Sequence, residues 1–378
     1  MLMNMSFENL SFYISTSILS VLFIIALYNY LTAPEINELN KNIYSNRLVS
    51  VLIPARNEES NINDCLLSVL KQNYKNFEVI VLDDESSDST YEIVNDISSN
   101  NNKVKLFRGK PLPAGWLGKN WACSQLAENS TGEMLLFIDA DVRLSNSALS
   151  SSMKIFEEKK VNMLSCFPTQ KIGTIGERLV VPLMNFFLLS LLPLRKVFSS
   201  GSKSLTAANG QFILIDKKAY VEIGGHQRVA NEVVEDMELA RLLKKKGFSI
   251  LIALGGDSVS CRMYDKFFDS FIGFSKNFFP GFKTNIIFFL ILSLFYSAVF
   301  LYPVLLLPDN MHYLIPTALI IFIRVFISVR SRQNVILNIL LHPVQIIIML
   351  LIAINSVWQN ETKNISWKGR KIQNIFMP

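Results

Sequence analysis

Residues 10–31 run through an apolar stretch without one charged side chain. About twenty such residues cross the hydrocarbon core of a bilayer as a helix. A segment placed there must satisfy its own backbone, which leaves a helix as the option for a single run. The stretch, closed by Thr32-Ala33-Pro34, predicts an uncleaved anchor over residues 1–33. A cleavable signal peptide is the rival, but it would begin with basic residues and carry a shorter apolar core and a small-residue cleavage site. Here the first basic residues come afterwards, at Lys41 and Arg47. That asymmetry points the following domain into the cytoplasm.

Half of the 378 residues are hydrophobic, and the surplus lies at the two ends. Apolar segments at 286–307, 313–329 and 335–357 predict a membrane region over 285–358, followed by a basic tail at 359–378. Lys276 and Lys283 precede the first segment, the connection 308–312 has no Lys or Arg, and Arg330 and Arg332 follow the second. Those charges fit a hairpin that leaves the cytoplasm and returns. Arg324, inside the second segment, must face protein or snorkel. The third segment brings a conflict, because four spans would put Lys363, Lys368, Arg370 and Lys371 outside. One apolar segment is therefore expected to lie in the interface or re-enter. A further run at 179–194, interrupted by Pro182 and Pro193 and flanked by Arg178 and Arg195, reads as a core helix or as an interfacial one.

The net charge is +6, with no aromatic-interleaved basic stripe. This disfavours nucleic acid as a partner and suits an anionic membrane surface. Cys65, Cys123, Cys166 and Cys261 stand far apart, as reduced structural thiols do.

Between the apolar ends the pattern alternates. Short apolar runs at 49–53, 77–82 and 134–138 read as buried strands. Ile62, Cys65, Leu66, Val69 and Leu70 share one helix face, and Ile93, Val94 and Ile97 another. Alternation of this kind predicts an α/β domain with a doubly wound, mostly parallel sheet. Ligands then bind beyond the carboxyl ends of the strands, and these strands end in polar or acidic clusters. No G-x-G-x-x-G follows a strand, and Gly118-Lys119-Asn120 lacks the Ser/Thr and earlier glycine of a P-loop. His226, His312 and His342 show no metal-ligand spacing. Carboxylate chemistry remains.

Asp139 and Asp141, one residue apart just past a strand, can reach one pocket. Oxygen ligands there suit Mg²⁺ or Mn²⁺ bridging to a diphosphate. Asp83 and Asp84 end another strand, either to cap the next helix or to accept from a nucleobase ring N–H. Glu235-Asp236 opens a run that ends in Lys244-Lys245-Lys246 before Gly247. Such acids stabilise a helix start, or one of them serves as general base toward an acceptor hydroxyl.

In order and spacing, Val51-Leu52-Ile53-Pro54-Ala55-Arg56-Asn57-Glu58-Glu59, Val81-Leu82-Asp83-Asp84-Glu85-Ser86-Ser87-Asp88, Asp139-Ala140-Asp141 and Glu235-Asp236 resemble family 2 glycosyltransferases. Those enzymes have the GT-A fold and invert the anomeric centre. The stretch Pro111-Leu112-Pro113-Ala114-Gly115-Trp116-Leu117-Gly118-Lys119-Asn120-Trp121-Ala122 resembles the branch associated with hopanoid and carotenoid glycosylation. Arg262-Met263-Tyr264 and Gly273-Phe274-Ser275-Lys276 look like the segment before the C-terminal membrane helices of carotenoid-acid glucosyltransferases. The resemblance implies a GT-A domain over 47–275 that binds a UDP-sugar through Pro54, Ala55, Arg56, Glu58, Asp83 or Asp84, Lys119 and Asp139. Asp141, with Asp139, would hold the divalent cation. Asp236, beside Glu235, would be the general base, and Asn209-Gly210-Gln211 would flank sugar and acceptor. The Gln-x-x-Arg-Trp of processive synthases is absent, so one transfer is expected, and the resemblance implies glucose from UDP-glucose as the sugar and a lipid or carotenoid-type acceptor. The rivals are a polyprenyl phosphate, diacylglycerol or ceramide-like acceptor, and a non-catalytic nucleotide-sugar binder or transporter.

Overall fold

The computed structural model describes residues 7–37, 45–202, 205–362, 366–367 and 370–371. Lys41, Lys363 and Lys368, used above for topology, lie outside them. The chain divides into two compact units. One comprises Met1–Ala33, Ile172–Leu194 and Tyr264–Thr362; the other comprises Pro34–Lys171, Arg195–Met263 and Lys363–Pro378.

The second unit is built on strands β1 (Val49–Ala55), β2 (Phe77–Asp83), β3 (Val104–Arg108), β4 (Met134–Ile138), β5 (Val142–Leu144), β6 (Met163–Phe167), β7 (Thr169–Gln170), β8 (Phe212–Asp216), β9 (Ile250–Leu254) and β10 (Val259–Cys261). Seven of them form one sheet in the order β3-β2-β1-β4-β8-β6-β9, and β5-β10-β7 form a second. The large sheet is parallel except at β8, which runs antiparallel to both β4 and β6. Strands β2 and β4 are buried along their whole length because both faces are covered, and β4 is apolar throughout whereas β2 carries Glu78 and ends in Asp83. Strand β1 runs through Pro54 to Ala55, beyond the expected end. At Pro54 its partner is β2 alone, β4 pairing only as far as Leu52, so the missing N–H is tolerated at a one-sided position. In register, Ala55 lies opposite Asp83, which brings two site-bearing strand ends side by side.

Among its described residues the other unit holds four helices long and apolar enough to cross a membrane: Asn9–Thr32, Ile286–Leu306, Met311–Arg330 and His342–Glu361. The segment expected over 335–357 is broken. Val335–Leu340 is a separate helix capped by Asn334, and Pro343 in the first turn starts the longer one, where its missing N–H costs nothing. Arg324 faces protein: its Nε donates to His342 Nδ1 at 2.7 Å, and its guanidinium lies 3.6 Å over the Phe186 ring.

The run at 179–194 belongs with these helices. It forms the end of Ile175–Val180 and the helix Pro182–Leu191, and Leu183, Phe186 and Leu189 are buried. Asn29 satisfies the backbone where that helix stops: its Nδ2 donates to the carbonyls of Leu189 and Leu192 at 2.8 Å, and its Oδ1 accepts from Leu194 N–H at 2.9 Å. Orphan carbonyls at a helix end need such partners.

Candidate active site

The loops that leave β1 and β2 are joined to one another. Asp84 N–H donates to Ala55 O at 2.8 Å. Further out, Asn57 N–H donates to Ser86 Oγ at 3.1 Å, Ser87 N–H to Asn57 Oδ1 at 2.8 Å, and Glu58 N–H to Thr90 Oγ1 at 2.7 Å. Arg56 Nη1 donates to the carbonyls of Asp84 and Glu85, the latter at 3.1 Å. These bonds hold Asn57 and Glu85 at φ 52° and 55°. That left-handed region suits Asn and is uncommon for Glu.

Asp83 and Asp84 are buried at the head of β2 and do not cap the next helix. The N-cap of the helix Thr90–Asn100 is Ser89, without a side-chain cap bond, and Asp88 Oδ1 just before it accepts from Thr90 N–H at 3.0 Å. Asp83 Oδ2 accepts from Ser86 N–H at 3.4 Å. Its Oδ1 is buried with no hydrogen-bond partner among the described residues. The Asp84 carboxylate receives Arg370 Nη1 at 2.6 Å. Burial raises the Asp84 carboxyl above its usual value, and Arg370 and Arg56 act against that rise.

Asp139 and Asp141 leave β4 as expected, and β5 starts directly after them. The Asp139 carboxylate is held by Lys119 Nζ, 2.8 Å from Oδ1 and 3.1 Å from Oδ2. Lys119 sits in the first turn of the helix Gly118–Glu128. Its Nζ also lies 3.5 Å from Glu235 Oε1, so one ammonium joins two of the acidic motifs. Burial opposes that charge, and Asp139 and Glu235 more than restore it, holding Lys119 protonated well above its ordinary range. Asp141 Oδ1 is buried and unpartnered among the described residues. Burial and then the Asp139 charge push the Asp141 carboxyl up to about 7.

Glu235 and Asp236 open the helix Glu235–Lys245. Asp236 also reaches across to the loop before β8. Its Oδ2 accepts from Gly210 N–H at 2.8 Å, and its Oδ1 from Met237 N–H at 2.7 Å. Burial, then the neighbouring Glu235 charge, raise it to about 7. Gly210 leaves room for this contact: a Cβ there would lie 3.2 Å from Lys119 Nζ and 3.3 Å from Glu235 Oε1, tight enough that one of these side chains would have to shift by a few tenths of an ångström. Asn209 and Gln211 are buried and bond to one another, with Gln211 N–H donating to Asn209 Oδ1 at 2.9 Å. Gln211 Nε2 lies 2.8 Å from Cys261 Sγ.

Pro54, Ala55, Arg56, Glu58, Asp83 and Asp84 thus gather at the β1 and β2 ends. Lys119, Asp139, Gly210, Glu235 and Asp236 form one contact network. The Glu58 charge acts on Asp141 and links the two groups. Three contributors were not among the expected site residues, although Asn120 lies within the stretch 111–122 that carries the resemblance. Asn120 donates to the carbonyls of Val229, Ala230 and Glu232 and so fixes the loop before Glu235. Cys261, paired opposite Val142, packs against Asp141. Arg370 comes from the far end of the chain.

A divalent cation fits this donor set. The orphan Asp141 oxygen is a hard ligand, and Mg²⁺-type ions bind through one or two carboxylates with substrate phosphates completing the shell. Among the described residues no group of three or more His, Cys, Asp and Glu is placed to hold a metal by itself.

The mixed sheet and its helices form a GT-A-type fold, and residues 50–224 match the sequence model of Glycosyl transferase family 2. The match takes in the motifs at 51–59, 81–88 and 139–141 on which the resemblance rests, and stops short of Glu235-Asp236. The chain is 30% identical over 234 residues to 4,4'-diaponeurosporenoate glycosyltransferase of Staphylococcus haemolyticus, covering 61% of this chain and 60% of that one. The Staphylococcus aureus (strain USA300) protein of the same name is 27% identical over 232 residues, 60% of this chain and 59% of that one. The chain thus spans about 60% of the length of these curated relatives. In fold it is similar to a mannosyltransferase of Pyrobaculum calidifontis solved with GDP-mannose and Mn²⁺. The TM-score is 0.52 at 14% identity, over 93% of this chain and 99% of that one.

Proposed function

We propose that the chain is an inverting, single-transfer glycosyltransferase that moves a sugar, glucose from UDP-glucose, onto a membrane lipid or isoprenoid acceptor of the carotenoid-acid type. The observation that carries this reading is the pair of orphan carboxylate oxygens, Asp83 Oδ1 and Asp141 Oδ1, beside the Lys119-linked acids. Such groups are costly to leave unmet, and a nucleoside diphosphate with its cation meets both. Asp83 would accept from the base N–H, with Pro54, Ala55, Arg56 and Glu58 around the nucleoside and Asp139 toward the ribose.

In the reaction an acceptor oxygen forms a bond to the anomeric carbon from the face opposite the nucleotide. The bond from that carbon to the phosphate oxygen breaks, its electron pair leaving with UDP. Asp236 takes the proton of a hydroxyl acceptor, whereas a carboxylate acceptor has none to give. Lys119 supplies a fixed positive charge between Asp139 and Glu235, where negative charge develops. Asp141 and Asp139 are the residues that would hold Mg²⁺ or Mn²⁺, which when bound offsets the charge of the leaving diphosphate. Asn209 and Gln211 would shape the sugar and acceptor side.

The same reading places the protein in the cell membrane as a multi-pass protein, with the domain on the cytoplasmic side as Arg47, Lys276 and Lys283 indicate. Tethering keeps a bilayer-held acceptor at high effective concentration. The test is label transfer from radioactive UDP-glucose, UDP-GlcNAc and GDP-mannose to lipid extract by full-length protein in nanodiscs, with lipid-free controls. Label should enter the lipid fraction from UDP-glucose and fall roughly 10²–10⁴-fold in Asp236→Asn. Tight UDP binding with no transfer from any donor would mark a binding protein and overturn the reading.

A further inference from the structure

After the last apolar helix, residues Ser366–Trp367 and Arg370–Lys371 pair as a short antiparallel hairpin, strands β11 and β12. Arg370 lies 286 residues from Asp84, yet its Nη1 is 2.6 Å from Asp84 Oδ2, and its Nη2 contacts Glu85 Oε2. We propose that Arg370 is a positioning residue of the nucleotide site, clamping Asp84 and Glu85 so that Asp83 is presented as the acceptor for a ring N–H of the nucleobase. The proposal deepens the donor reading above and rests on it.

Asp83, Asp84 and Glu85 follow one another at the end of β2; Glu85 is 58% exposed, but Asp83 and Asp84 are buried, and two adjacent buried carboxylates are costly to keep ionised without a cation. The Asp84 side chain is 2% exposed, and the Arg370 side chain is 18% exposed. A guanidinium fork can meet two carboxylates at once. The backbone needs help as well, because Glu85 is held at φ 55°. Arg56 grips the two carbonyls of this turn, and Arg370 grips its two carboxylates. The turn in its turn supplies Ser86 N–H to Asp83 Oδ2. Asp83 Oδ1 is then the oxygen left without a partner. It suits a base with an imide-type N–H, as in uracil, and not cytosine, whose ring nitrogen at that edge is itself an acceptor. Without Arg370 the acids repel, the turn relaxes, and the Asp83 acceptor loses its direction.

The experiment uses full-length protein and compares wild type, Arg370→Ala, Arg370→Lys and a chain ending after Thr362. UDP affinity is measured by calorimetry, and donor KM and kcat with a lipid acceptor. In Arg370→Ala the UDP Kd and donor KM should rise at least tenfold, with kcat at saturating donor within twofold. The shortened chain should behave alike. Lysine, a point charge that cannot bridge two carboxylates, should be intermediate, and dilute guanidinium should restore much of the affinity of Arg370→Ala. If either Arg370→Ala or the shortened chain fails to fold, the graded loss in Arg370→Lys decides. Unchanged UDP binding in the variants overturns the proposal. Tighter binding overturns it too, by making the hairpin a competitor of the nucleotide. Wild type that binds no UDP would instead defeat the donor reading beneath it.

Discussion

Lys119 is a partly buried cation in the sheet unit, its side chain 23% exposed, and Arg324 is a buried cation among the apolar helices. Lys119 is met by two carboxylates, Asp139 and Glu235. Arg324 is met by neutral groups, the His342 imidazole and the Phe186 ring, and His342 Nε2 lies 3.2 Å from Phe300 O. An imidazole that accepts at Nδ1 carries its proton at Nε2 and donates it to Phe300 O, while Arg324 Nη2 is buried without a hydrogen-bond partner among the described residues. The sheet unit leaves carboxylate oxygens open at Asp83 and Asp141. A charge answered by neutral partners ties helices together, whereas a charge set among acids with open oxygens prepares a place for a ligand. On the function proposed above, chemistry belongs to one unit and cohesion to the other, and variants can break that division on either side.

The largest effect is expected at the open oxygens. Asp141→Asn should abolish transfer and remove the Mn²⁺ dependence of UDP binding, and chelation of metal from wild type should do the same. Calorimetry of UDP with and without Mn²⁺ checks it; unchanged binding would move the cation elsewhere. Next, Asp236→Asn should lower kcat by roughly 10²–10⁴-fold while donor affinity stays within twofold. Turnover within a few-fold of wild type on a hydroxyl acceptor would make Asp236 a helix-start residue only.

Lys119→Met leaves Asp139 and Glu235 without their shared cation. Donor kcat/KM should drop about 10–100-fold, as for loss of a charged hydrogen bond. Steady-state kinetics at varied UDP-sugar decide whether Lys119 belongs to the site or to packing. The pH profile follows from Asp236. Its carboxyl is raised to about 7, and a base must be deprotonated, so the rate on a hydroxyl acceptor is full above that value. It should fall by about tenfold per unit below it. The acid limb should vanish in Asp236→Asn. The smallest effect belongs to the helices: Arg324→Met should cost about 1 kcal/mol of stability, read from thermal unfolding in detergent. Transfer per folded molecule should not change, and a large loss of turnover there would dissolve the division of labour.

The strands were legible because both faces of the sheet are covered, so β1, β2 and β4 read as mainly apolar runs, broken only by Ser50 and Glu78, with acids at the ends of β2 and β4. The acidic motifs were legible because each lies within a few residues of a strand end or helix start. The 179–194 run was harder, since an apolar helix reads the same in a sheet core or beside other apolar helices. Its place follows from Asn29, a polar residue inside the first apolar run that meets the carbonyls of Leu189 and Leu192. The break at Leu341 had a local sign in Pro343, but the apolar pattern continues across it and hides the boundary.

Local order and chemistry were thus set by the sequence alone: apolar ends, an alternating middle, and acids at the strand ends. Periodicity and turn residues act over a few positions, and those are what a linear reading detects. Which charges meet was decided only in three dimensions. Lys119 joins Asp139 to Glu235, Gly210 makes room for that contact, and Arg370 returns to Asp84. A salt bridge depends on distance in space and leaves no period or spacing in the chain, so the tertiary structure alone could pair them.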